Sequence, residues 1–236
     1  MPMTRSQSAF QACEAAVDMY SPGFSTAALL LGLSGDDRST ATLLQGLGNQ
    51  DFQRDVAYAL GFSGRVSAAD ALLEAMEDET LAQLAAEAFA AITGLRVEKE
   101  FAAPREQWGR AVEAHDGIEL SRSEAALAQP DPVEIARWWK NARPKLDPTR
   151  RWLRGQRWSA EVLLREMEQG PARRREALAL DVAIRTHGQV HLAWNALSTR
   201  QHRELREAQA ARRQMHAGSY RDLDPAPTRP SPTRGR

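Results

Sequence analysis

His187 and His191 stand four residues apart, a spacing that places two imidazoles on one helix face and, with a third ligand, could hold zinc. Gly188 between them stops a helix, no glutamate of a metalloprotease pattern adjoins them, and the chain has a single cysteine. The other histidines, His115, His202 and His216, are scattered. Cys13 shares an apolar helical stripe with Phe10, Val17 and Tyr20, which is the setting of a small core residue rather than of a thiolate nucleophile. The glycines of "LGLSGD" and "LGFSGR" follow helices instead of strands, so they build no phosphate-binding loop. These residues give no catalytic centre, no metal ligands and no cofactor site, and the chain reads as non-enzymatic.

The remaining chemistry is that of recognition. Arg173, Arg174 and Arg175 follow Gly170 and Pro171 in the first turn of a helix, where the helix dipole disfavours cations. They can pair with carboxylates of the N-terminal half or form a surface for an anionic partner, and their spacing predicts Arg174 inside and Arg173 outside. Trp138 and Trp139 are adjacent and so point about 100° apart on a helix. Both can pack the C-terminal helices onto the rest, together with Trp152, Trp158 and Trp194, or one can stand out as an anchor for a protein. Arg173, Arg174, Arg175, Trp138 and Trp139 are therefore the candidate partner-binding residues, and the partner they suit is an acidic protein surface. Nucleic acid is the alternative, since Arg200, Arg203, Arg206, Arg212 and Arg213 line the last helix; Glu204 and Glu207 interrupt that run.

Composition sets the frame. The 236 residues are 42% hydrophobic, enough for a folded core, and the 31 basic residues balance 31 acidic ones. Residues 1–100 hold 6 basic against 14 acidic side chains and residues 101–236 hold 25 against 17, so two oppositely charged halves should build oriented surfaces. One cysteine excludes an internal disulfide. "MPMTRSQSAF" has no signal-peptide core and the longest apolar run, "AALLLGL", is too short for a bilayer, so a cytoplasmic protein without membrane insertion is expected.

The elements that must carry these residues are helical. Residues 1–25 hold one amphipathic helix before Ser21-Pro22-Gly23. Residues 26–95 then repeat themselves: Leu31, Gly32, Gly35, Leu43, Leu44 and Leu47 return 29 positions later as Leu60, Gly61, Gly64, Leu72, Leu73 and Met76. Asp36 or Asp37, Asp51 and Ser67 are the expected caps, and a third round from Asp78 carries Leu81, Leu84, Phe89 and Ile92 to a stop at Gly94. One helical hairpin cannot bury its own apolar stripe, so tandem hairpins of this length predict an all-α solenoid whose small residues let neighbours approach. Residues 96–130 read as a connector with a short helix near Trp108 to Ala114. Residues 131–216 give C-terminal helical hairpins, capped at Asp131 with Pro132 behind it and at Ser159, and residues 217–236 a Pro- and Arg-rich disordered tail.

The hairpins "ALGFSGRVSAADALLEAMEDE" and "LAAEAFAAITGL" resemble HEAT-like repeats of the phycobilin-lyase type. The ordered set "LGLSGD", "DVAYALGFSGR", "EAFAAITGL", "PDPVEIARWW", "RWLRGQRW" and "RRREALALDVAIRTHG", then "TRQ", resembles an uncharacterised bacterial HEAT-like repeat family often encoded near type VI secretion components. The resemblance spans roughly residues 26 to 205 and implies an interaction scaffold or adaptor. The first 24 residues depart from it, and it implies further repeats there, as in an N-terminally truncated member.

Overall fold

The computed structural model describes residues 5–104, 127–192 and 198–223, with side chains from Ser8 in the first helix and from Arg203 in the last. The described chain is mostly helical: α1 (Arg5–Asp18), α2 (Phe24–Ser34), α3 (Asp37–Gly46), α4 (Gln53–Ser63), α5 (Val66–Ala75), α6 (Ala82–Thr93), α7 (Pro132–Ala142), α8 (Ala160–Gln169), α9 (Ala172–Arg185) and α10 (Ser198–Ala211). Two short strands, β1 (Trp152–Leu153) and β2 (Gln156–Arg157), pair antiparallel between α7 and α8, where the sequence shows no strand alternation. Among the described residues no helix is long and apolar enough to cross a membrane.

The repeated glycines do two jobs. Gly64 ends α4 in the left-handed conformation (φ 68°, ψ 19°), which costs a side chain strain, and Gly35 and Gly94 end α2 and α6 in the same way. Gly61 lies inside α4 for a different reason: a Cβ there would stand 2.9 Å from both Cα and Cβ of Ala88 on α6. The same approach occurs one repeat earlier, where Gly32 of α2 meets the Ala59 backbone of α4. So α2 packs on α4 and α4 on α6, while α3 and α5 return the chain beside them. Leu31 and Leu60, and likewise Leu43 and Leu72, are equivalent positions of the repeat and all 0% exposed, as is Ile92 in the third layer.

The caps differ in detail. Asp36 accepts from the Ser39 N–H at the start of α3, as the sequence predicts. Asp51 does not cap α4; Asn49 closes that turn instead, its side chain accepting from the Asp51 N–H and its carbonyl from the Gln53 N–H. α5 starts at Val66, so Ser67 sits inside it, exposed. Asp131 caps α7 through the Val133 and Glu134 N–H groups, and Ser159 caps α8 through that of Val162. The short helix expected near Trp108 to Ala114 lies outside the described residues.

The tail expected to begin at Ala217 needs correction. Tyr220 (4% exposed) and Leu223 (9%) are buried in the core, and the turn Tyr220–Asp222 packs on α1. Two apolar side chains three apart among prolines and arginines make no periodic signal, which is why the sequence hides them.

Leu60→Ala is expected to lower stability by about 2–5 kcal/mol. Gly61→Ala should also destabilise, by about 1–3 kcal/mol, although alanine is the better helix former, because its methyl meets Ala88. Denaturant melts measure both; a neutral Gly61→Ala would show that α4 and α6 lie farther apart.

Candidate functional site

The arginine turn at the start of α9 faces inward. Arg174 is 2% exposed; its Nε and Nη2 donate to Glu87 Oε1 and Oε2 of α6 at 2.6 and 2.7 Å, and its guanidinium lies 4.5 Å from the Phe62 ring centre. Burial pushes the Glu87 carboxyl up, but the charge and hydrogen bonds of Arg174 outweigh this and hold it below the usual range. Arg175 donates to the carbonyls of Gly170 (3.1 Å) and Glu168 (3.3 Å), at the C-terminal end of α8, where cations are favoured. Arg173, expected outside, is half-buried with its guanidinium 5.6 Å from the Tyr58 ring centre. The break at Gly170 and Pro171 brings the carbonyl end of α8 against the first turn of α9, so the unfavourable dipole at one helix is offset by the favourable one at its neighbour. The surface for an acidic partner expected from this turn is thus spent on internal contacts.

The tryptophans are likewise structural. Trp139 is 3% exposed, donates from Nε1 to Asp70 Oδ1 at 2.8 Å and sets its ring edge-on to Phe89 at 5.2 Å. Arg143 holds the same Asp70 carboxylate bidentately. Trp138 is half-buried between Phe89 and Phe101. The larger aromatic cluster expected from the sequence is divided: Trp158 lies instead between Arg151 and Arg185, 5.0 and 4.3 Å from their guanidinium carbons, Trp152 donates to the Asp147 carbonyl, and Trp194 lies outside the described residues.

Helices α2, α4 and α6 all end on one edge of the stack, and the last carbonyls of each have no partner within their own helix. The second half of the chain supplies the donors. Arg185 Nη2 reaches the Leu33 carbonyl (3.0 Å) and Arg151 Nη2 that of Phe62 (2.9 Å). The backbone N–H groups of Trp152, Arg154 and Gly155 reach Gly64, Ala91 and Ile92 at 2.7, 2.7 and 2.8 Å. A tight turn with positive φ at Arg154 (52°) and Gly155 (74°) makes this β-hairpin narrow enough to lie against the glycine caps. Burial, then the charge of Arg185, lowers Arg151 to about 10, which leaves it a cation at neutral pH.

Arg185 is itself fully buried. Its Nε donates to Asp181 Oδ1 (2.5 Å) and its Nη1 to the carbonyls of His216 and Gly218 (2.9 Å each). Tyr220 donates its hydroxyl to the same Asp181 oxygen, and burial followed by the Asp181 charge keeps that phenol protonated far above its ordinary range. Arg221 pairs with Glu14 and Asp36, and Ser219 Oγ donates to Asp36 Oδ2 at 3.0 Å. Burial raises Asp36, but the hydroxyls of Ser34, Ser39 and Ser219 and the Ser39 N–H prevail and bring it to about 2.

The opposite edge carries the loops α1–α2, α3–α4 and α5–α6. Tyr20, Phe24 and Phe52 stack there with ring centres 4.3 to 5.7 Å apart, and Met19 and Tyr20 remain 70% and 40% exposed. Beside them a groove between α3 and α5 is floored by Leu44, Leu47, Ala71, Ala75 and Leu81. Its rim and the adjoining loops expose Asp18, Asp51, Glu74, Glu77, Asp78 and Glu79, while the cation Arg54 is engaged with the Thr80 carbonyl at 2.6 Å. The one sign of this edge in the sequence is the acidic excess of residues 1–100.

His187 and His191 are exposed, His187 in the left-handed turn that ends α9. Among the described residues no group of three or more His, Cys, Asp or Glu side chains is placed to hold a metal ion. Comparison with protein-family models, with curated proteins and with solved structures finds no match to this chain.

Two outcomes follow from these contacts. Arg174→Met should cost about 3–5 kcal/mol by leaving Glu87 charged and buried, and adding Glu87→Leu should recover much of it; equal melts for the single and double variants would show that the pair is not coupled. Ending the chain after Gly218 should also destabilise, because Asp181 loses the Tyr220 hydroxyl, Glu14 and Asp36 lose Arg221, and the core loses Tyr220 and Leu223. The folded Asp36 titrates below its unfolded value, so its contribution is present above about pH 4 and fades as pH falls towards 2. Asp36→Asn should therefore flatten the acid limb of stability measured across that window.

Proposed function

We propose that the chain is an α-solenoid of HEAT-like hairpins and works as a non-enzymatic interaction scaffold or adaptor, holding other proteins rather than transforming a substrate. The observation that carries this reading is the layer repeat: α2, α4 and α6 stack through the equivalent contacts Gly32 to Ala59 and Gly61 to Ala88, and end in equivalent glycine caps. Such stacking gives a long, continuous surface from short units, the usual reason for proteins to be built this way. The resemblance to a bacterial family encoded near type VI secretion components suggests that the partners belong to an assembly of that kind. A nucleic-acid cradle is the weaker reading, because two of the exposed cations that would track a phosphate backbone from the last helix, Arg203 and Arg212, face Glu207 and Glu161, and the arginines that could extend that track, Arg151, Arg174 and Arg185, are occupied by carbonyls and carboxylates.

Affinity capture by the immobilised full-length chain, with chemical cross-linking and mass spectrometry, tests the proposal. Specific proteins cross-linked to residues of the repeats are expected, together with no salt-dependent retention of the chain on duplex DNA. Retention on DNA that collapses as salt rises, without captured protein, would reverse the order of the two readings.

A further inference from the structure

The two edges of the stack are treated differently. The glycine-capped edge is covered by the basic half of the chain: the β-hairpin, Arg185 and the turn at Tyr220 all lie on it. Among the described residues the opposite edge has no such cover, yet it is built of the same materials. The carbonyl ends of α3 and α5 reach it, a row of apolar side chains forms its floor, and acidic groups surround it. The carboxylates and the two carbonyl ends act together, and both favour a cation placed at the groove.

We infer that the groove between α3 and α5 is the docking site for a basic amphipathic helix of a partner protein. This rests on the scaffold reading and names the surface and the partner's chemistry. Leu44, Leu47, Ala71, Ala75 and Leu81 accept an apolar stripe of i, i+3, i+4, i+7 spacing. Glu74 in the last turn of α5 and Asp78 in the loop after it both line the groove, with Glu77 and Glu79 exposed in the same loop, and meet lysines or arginines on the flanks of the incoming helix. The charge sign selects the occupant: the lining has no cation, and the nearby Arg54 already donates to Thr80. An acidic helix would meet only repulsion there. The internal precedent lies on the other edge, where arginine-bearing segments already cover acidic and carbonyl-rich helix ends of the same repeats.

The test uses the full-length chain and a fluorescent peptide of about 18 residues with leucine at helical spacing and lysine elsewhere, read by anisotropy. Saturable binding is expected, weakened at least about tenfold by Glu74→Lys with Asp78→Lys, and weakened similarly by Ala75→Trp, which fills the groove without changing charge. The variants' melting curves should match that of the parent chain; a variant that melts early is replaced by Leu47→Gln, for which the same loss is expected. Equal affinity for a leucine-free polylysine would overturn the inference, because the apolar floor would then be idle. Indifference of the peptide to all of these substitutions would overturn it as well. Sedimentation showing a dimer that dissolves on Glu74→Lys with Asp78→Lys would assign the groove to a second copy of the chain instead. If captured proteins persist undiminished in that variant although it no longer binds the peptide, the groove is wrong and the scaffold reading stands; if the parent chain itself captures no protein and binds no peptide, both fall.

Discussion

Three helices that stack in parallel end on the same side, and each leaves a row of carbonyls without donors. The β-hairpin, Arg151 and Arg185 of the second half are arranged around that need. α2, α4 and α6 cannot satisfy one another there, because each ends in a glycine turn that leads away into the next helix. Buried carbonyls without partners cost on the order of 1–3 kcal/mol each. The β-hairpin therefore lies flat along the edge with its N–H groups turned toward the helix ends, and Arg151 and Arg185 reach the positions it does not.

This need also explains why arginine rather than lysine fills the interior. Arg185 gives Nε to a carboxylate, Nη1 to two carbonyls and Nη2 to a third, while its flat face rests 4.3 Å from Trp158. An ammonium group has neither the planar fork nor the reach for that set of partners. A cation with no solvent around it is tolerated because Asp181 shares its charge, and Tyr220 adds a neutral hydroxyl to the same carboxylate. The acidic first half and basic second half of the sequence are thus joined on one edge, and the acidic excess left over appears on the other.

The helical layers were legible because their signals are local: apolar residues at repeat spacing, a glycine after each of α2, α4 and α6, Asp131 and Ser159 at the starts of α7 and α8. What escaped the sequence was the destination of the long side chains. Arg174 could be assigned inward from its place between neighbours, and Glu87 was one of many carboxylates it might meet. Arg151 and Arg185 bind mainly backbone carbonyls, and a carbonyl looks the same under every residue, so no pattern of letters announces it. The turn at Tyr220 was concealed for a related reason, since its contacts with Ser34, Asp36 and Asp181 come from positions 39 to 186 residues distant. The groove is made by α3 and α5 jointly, and only the summed charge of the first 100 residues hinted at its character.

The lateral hairpin sets a limit on how this molecule can change over generations. A plain stack of repeats gains or loses a unit by duplication or deletion, since each new layer meets only copies of its neighbours. Here the strip from Arg151 to Gly155 touches Phe62, Gly64, Ala91 and Ile92 in register, and Arg185 and Ser219 touch Leu33 and Asp36. An inserted layer would push the outer contacts apart by one helix width with no extra strip to span it. The copy number of the inner layers is consequently locked by a segment that is not itself a repeat.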